Sequence, residues 1–141
     1  MGKDSRFVDN ADGTVTDTQK GLMWKRTDSM LDLKKWVNYQ ESLDYVRGLN
    51  TQRHAGHENW RLPSREELES LYNEKYELKD RFGKIVHISE KFEPGCGFTI
   101  IAQMVSGRIR TWVLNLRTGE FQHPDGLWTL SESTRAVRSI T

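Results

Sequence analysis

The spacing of apolar positions changes twice along the chain, and the changes divide it into strands, then helices, then strands. Arg6–Asn10 and Thr14–Asp17 are short β-prone runs on either side of Asp12-Gly13, which reads as a hairpin turn. Lys20-Gly21 marks a second turn before Leu22-Met23-Trp24. From Asn38 the period becomes helical: Tyr39, Ser42, Leu43, Val46 and Leu49 fall on one face. Asn38 is placed to cap this helix with Glu41 at the third helical position, and Gly48 and Asn50 suit its end. Leu68, Leu71, Tyr72 and Tyr76 form a second stripe and predict a helix over 65–76. Residues 27–37 follow neither period.

Between the helices stands the most informative stretch, Trp60-Arg61-Leu62-Pro63-Ser64-Arg65-Glu66-Glu67-Leu68. Ser64 and Glu67 have the spacing of a capping box, in which each side chain bonds the other's backbone N–H. Pro63 forces an extended entry. Trp60 is expected in the core and Ser64 at the cap. Residues 51–59 read as a solvated loop. Beyond the second helix the pattern returns to strands. Gly97–Ile101 is β-prone, Thr111–Leu116 is the clearest strand, and Glu120–His123 pairs back across Arg117-Thr118-Gly119. Residues 134–140 alternate as a closing strand. Strands, two helices and strands again argue for an α+β fold over a parallel βαβ sheet.

Composition bounds the function. The 141 residues are read as one domain spanning 1–141. Twenty-one Lys and Arg balance 20 Asp and Glu, so there is no global pull toward nucleic acid, and none is expected as a partner. The single cysteine, Cys96, rules out an internal disulfide and a cysteine zinc site. No apolar run has the length of a membrane span. Residues 1–5 lack the apolar core of a signal peptide, so the sequence as it stands reads as cytoplasmic; the alternative is a secreted or cell-surface protein whose leader has been removed.

Phe7-Val8-Asp9-Asn10, Asp12-Gly13-Thr14-Val15-Thr16-Asp17 and Gly21-Leu22-Met23-Trp24 resemble the opening of the Lcl C-terminal domain family of bacterial proteins. Ser42, Tyr45, Leu49 and Asn50 match its first helix. Trp60-Arg61-Leu62-Pro63-Ser64 with Glu67-Leu68 is its most recognisable motif, and Trp112-Val113, Gly119 and Arg135-Ala136-Val137-Arg138 resemble its closing strands. The resemblance implies a C-type lectin-like fold, with two helices around a mostly antiparallel twisted sheet and long loops. It implies binding or adhesion more than catalysis. The chain departs from the family in having Cys96-Gly97-Phe98-Thr99 where a Trp-Ser-Ser-Thr-like stretch is usual, and Val46 where a cysteine is frequent.

Candidate chemistry is sparse. His54 and His57 lack a third ligand, and Gly56 interrupts them, so they read as loop residues without a metal. Glu93-Pro94-Gly95 and His123-Pro124-Asp125 lack the oxygen sets of calcium-dependent lectin loops. The formylglycine-generating enzymes share a related fold but need a cysteine pair. A lone Cys96, even beside His87 or His123, is better read as structural. No catalytic residue, metal or cofactor is therefore assigned.

Residues 96–141 concentrate Arg108, Arg110, Arg117, Arg135 and Arg138 against Glu120, Asp125 and Glu132. Arg and Trp are enriched at binding hot spots. The expected ligand surface is Arg108, Arg110, Arg117, His123 and Trp128, with Trp112 and Phe98 turned to the core. The expected function is a non-catalytic module that recognises a protein partner or an anionic glycan without calcium. The alternatives are a hydrolase or redox enzyme on the same scaffold, or a self-associating structural domain, and a homo-oligomer is allowed.

Overall fold

The computed structural model describes residues 5–105, 110–123 and 130–140. Strands β1 (Phe7–Asp9), β2 (Thr14–Asp17) and β3 (Leu22–Lys25) form a meander, and β9 (Val137–Ser139) closes it in the order β1-β2-β3-β9. All neighbours are antiparallel, with Val15 opposite Trp24 and Trp24 opposite Val137. Both predicted hairpins are present. A second sheet has the order β6 (Thr99–Met104), β7 (Thr111–Asn115), β8 (Phe121–Gln122), also antiparallel. β4 (Leu78–Lys79) and β5 (Ile85–Val86) make a small hairpin between the two.

Three α-helices lie among the described residues: α1 (Ser29–Leu33), α2 (Tyr39–Thr51) and α3 (Arg65–Leu71). Helix α2 has the expected Asn38–Glu41 capping box, but Gly48 lies inside it and the helix runs on to Thr51. Asn50 does not end it. Its side-chain amide clamps the backbone of Trp60 instead, donating to the carbonyl at 2.9 Å and accepting from the N–H at 2.7 Å. Helix α1 occupies the segment without a legible period. It is a single capped turn, with Asp28 accepting from the N–H of Leu31 and Lys34 ending it in the left-handed region.

The Ser64–Glu67 capping box is present, and Trp60 is only 3% exposed. Helix α3 is shorter than the sequence predicts and stops at Leu71. Tyr72 is extended, and the N–H of Asn73 bonds the carbonyl of His87 rather than continuing the helix. The Asn73 side chain then accepts from the N–H of Lys75, a turn that competes with helix. Arg61 pairs with Val137 across an isolated antiparallel bridge, so β9 is flanked on both sides. Residues 133–138 are all buried, and the alternation expected there does not separate an inner face from an outer one.

The core falls into two clusters. One packs Phe7, Trp24, Leu68, Leu71, Phe92 and Leu114 between the sheets, and the other packs Tyr39, Val46, Trp60, Leu62 and Val113 under α2. No helix among the described residues is long and apolar enough to cross a membrane.

Candidate functional site

The Trp60 motif is held by packing and capping contacts, and Trp60, Arg61 and Leu62 also line a cavity of about 310 Å³ with Tyr39, Leu43, Val46 and Gln103. The guanidinium of Arg61 meets the Glu67 carboxylate in a bidentate pair, with both contacts at 2.7 Å, and also reaches Ser139 Oγ at 3.1 Å. Glu67 therefore closes the helix cap and fastens the motif to β9. Burial would raise its pKa, but bonds from Arg61 and Ser64 outweigh burial and hold the carboxyl below its ordinary value. His54 and His57, read as solvated, both pack against the Trp60 ring, and Trp60 Nε1 donates to the carbonyl of His54 at 3.1 Å. Their backbone adopts the left-handed region at Arg53 and Ala55 to make this contact. No three His, Cys, Asp or Glu among the described residues converge as a metal site.

Cys96 is buried, and burial pushes its thiol up to about 11, which leaves it a thiol at neutral pH. His87 Nδ1–H donates to the Tyr76 carbonyl, 2.9 Å away, and its ring packs on Tyr72. Lys25, Thr27, Asp32 and Tyr45 share a hydrogen-bonded network between β3, α1 and α2. Burial and the adjacent Asp32 raise the Tyr45 phenol well above its usual value, so it stays protonated.

Of the residues expected to bind ligand, the structure describes Arg110, Arg117 and His123. Arg108 and Trp128 lie outside the described residues. Arg110 and His123 lie at one end of the β7–β8 hairpin, where His123 stacks on Trp112 at 4.2 Å and 11°. Trp112, like Phe98, is half-buried and packs against the core as expected, and the guanidinium of Arg65 lies over the Trp112 ring at 4.7 Å and over Phe121 at 4.6 Å. Arg117 lies past the other end of β7, in the turn that leads to β8.

Around Arg117 the chain assembles a different cluster. Phe82 stacks on Trp36 with ring centroids 6.4 Å apart and planes within 18°, and Phe98 meets both edge-on at 5.4 and 6.2 Å. Arg117 lies over the Phe98 ring at 4.0 Å, and Arg81 flanks Phe82 at 5.7 Å. Phe82 is 56% exposed and is the most exposed of the large hydrophobics among the described residues. The residues beside these rings in sequence are basic: Lys34 and Lys35 before Trp36, Arg81 and Lys84 around Phe82.

Four separate segments are drawn together by backbone bonds. Val37 exchanges two hydrogen bonds with Glu132, which fixes Trp36. The N–H of Arg81 bonds the carbonyl of Cys96 at 2.8 Å and that of Leu116 bonds the carbonyl of Phe98 at 2.8 Å. Gly97 permits the approach of Trp36, because a Cβ there would sit 2.3 Å from Ser133 Oγ and 3.2 Å from the Trp36 ring. The Gly97 N–H is held by Asp28 at 2.8 Å.

Of this cluster the sequence reading named Arg117 as a binding residue and missed Trp36, Arg81 and Phe82. The available signal was an aromatic outside any stripe: Phe82 sits in a polar turn, Asp80-Arg81-Phe82-Gly83, with no apolar partner at strand or helix spacing. No curated protein and no solved structure matches the chain. The family model described as the Lcl C-terminal domain matches residues 13–138, and the chain belongs to that family.

Proposed function

We propose that the protein is a non-catalytic binding module with a C-type lectin-like fold, and that it recognises an anionic glycan without calcium through the face made by Trp36, Phe82, Phe98, Arg81 and Arg117. The observation that carries this reading is the exposed ring of Phe82, stacked on Trp36 and bracketed by two guanidinium groups. An aromatic plane left in solvent beside Arg is a costly arrangement for a surface without a ligand. It suits a pyranose ring on the aromatic face and a carboxylate or sulfate on the arginines.

The fold supports the lectin-like reading. Strands from the two ends of the described chain pair in one antiparallel sheet, α3 packs on β6 and β7 of the other, and the face is built from loops. His123 belongs to a separate cluster on Trp112, and Arg110 lies just before β7 at the same end of the hairpin. They remain proposed contacts for a ligand long enough to span the hairpin, together with Arg108 and Trp128. A glycan ligand goes with the secreted or cell-surface alternative rather than with a cytoplasmic one. The enzyme alternative draws little support from a buried, fully protonated Cys96 and a Tyr45 held protonated by Asp32.

The test is binding to dextran sulfate, with neutral dextran as control, in chelator and at several salt concentrations. Binding to the sulfated polymer alone, weakened by salt, supports the reading. Absence of binding, together with capture of an acidic protein by the same face, would replace the glycan by a protein partner.

A further inference from the structure

We infer that Asp80 is the positioning residue of this face, a buried carboxylate that sets both its exposed ring and its central cation; the inference rests on the binding reading above. Each Asp80 oxygen has a separate task. Oδ1 accepts from the backbone N–H of Phe82 at 2.8 Å and of Lys84 at 3.0 Å. The Asp80 backbone closes the same turn, donating to the carbonyl of Lys84 at 2.9 Å and accepting from Gly83 at 3.0 Å. Together these bonds fold residues 80–84 into a tight loop with Phe82 at its tip. Oδ2 accepts from Arg117 Nε at 2.8 Å.

That last contact has a directional consequence. A guanidinium bonded through Nε, with its plane over the Phe98 ring at 4.0 Å, keeps little rotational freedom. The two terminal nitrogens of Arg117 make no hydrogen bond among the described residues, and the side chain is 30% exposed. They form the half of the fork that matches a carboxylate or sulfate bidentately. The Asp80 side chain itself is fully buried, so an anionic ligand meets the fork and not the carboxylate. One residue thus holds the aromatic and the cation in fixed relation.

The sign of one substitution separates positioning from plain electrostatics. Asp80→Asn removes a negative charge beside a basic face, which by charge alone tightens binding of an anion. Asn retains one oxygen for the N–H groups of Phe82 and Lys84, but its NH₂ cannot accept from Arg117 Nε. Positioning therefore predicts that Asp80→Asn binds dextran sulfate about tenfold more weakly, the size of one lost charge-assisted contact. In an Arg117→Ala background the same change should have little further effect. Equal or tighter binding by Asp80→Asn, with the fold intact, overturns the inference.

Arg117→Lys is the companion variant, and serves if Asp80→Asn does not fold. It keeps the charge and loses the oriented fork, so it should weaken binding nearly as much as Arg117→Ala. Wild-type binding by Arg117→Lys overturns the inference. If the wild-type protein does not bind dextran sulfate, the glycan reading fails, and NMR still decides the role of Asp80. The Arg117 Nε–H should exchange slowly in the wild type and rapidly in Asp80→Asn; equal, fast exchange in both overturns it.

Discussion

Single residues carry distinct structural and recognition roles here, and the two respond differently to substitution. Trp60 fills the cluster beneath α2 and is tied by Asn50 and by the carbonyl of His54, so Trp60→Ala should cost about 3–5 kcal/mol in thermal or denaturant unfolding. Ser64→Ala loses one cap and should cost about 1 kcal/mol. Phe82 is exposed, and Phe82→Ala should change stability by no more than about 1 kcal/mol while weakening ligand binding. Glu67 gives a pH signature. Its carboxyl is held below the ordinary value of 4.5 in the folded state, so its contribution is complete above that value and is lost as pH falls through the folded value. Asp28 and Glu132 are shifted upward, chiefly by burial, and act in the opposite sense. The comparison must therefore be made between proteins. Glu67→Gln should be less stable than wild type at neutral pH, and the difference should shrink on acidification to about pH 3. A difference that stays constant with pH would show that the Arg61–Glu67 pair does not carry the effect.

At the scale of elements, the sequence was legible wherever period, cap and turn agreed. The hairpins around Gly13 and Gly21, helix α2 and the start of α3 follow from local chemistry alone. Three places were not legible, for physical reasons. Helix α1 is one turn long, too short to show a period. Helix α3 loses its last turn to a tertiary bond between Asn73 and His87. The closing strand is present, over Val137–Ser139, but residues 133–138 are buried on both faces of the chain, so alternation carries no information about an inner and an outer face there. The recognition face was only partly legible for a related reason. Arg117 stands out by type, but Trp36, Phe82 and Phe98 come together through backbone bonds between distant segments. Nothing in the spacing of any one segment announces that contact. The same geometry predicts that calcium is not needed. No three His, Cys, Asp or Glu converge among the described residues, and the melting temperature should be the same in chelator and in added calcium. A calcium-dependent rise would restore a metal-dependent lectin reading.

For the whole molecule, the antiparallel sheets and the helices of the described residues form a frame on which loops hold an aromatic and arginine face. The frame accounts for the family motif, since Trp60, Arg61, Ser64 and Glu67 each serve packing or capping. Recognition is then assigned to residues outside that motif. This division is the central claim, and it is tested most directly by titrating dextran sulfate into wild type, a Phe82→Ala/Arg81→Ala double variant and Ser64→Ala, with the melting temperature of each recorded. The account predicts that the double variant loses at least about tenfold in affinity at nearly unchanged melting temperature, while Ser64→Ala melts lower and binds as wild type does. Undiminished binding by the double variant, or binding that falls with melting temperature across all three proteins, would contradict it.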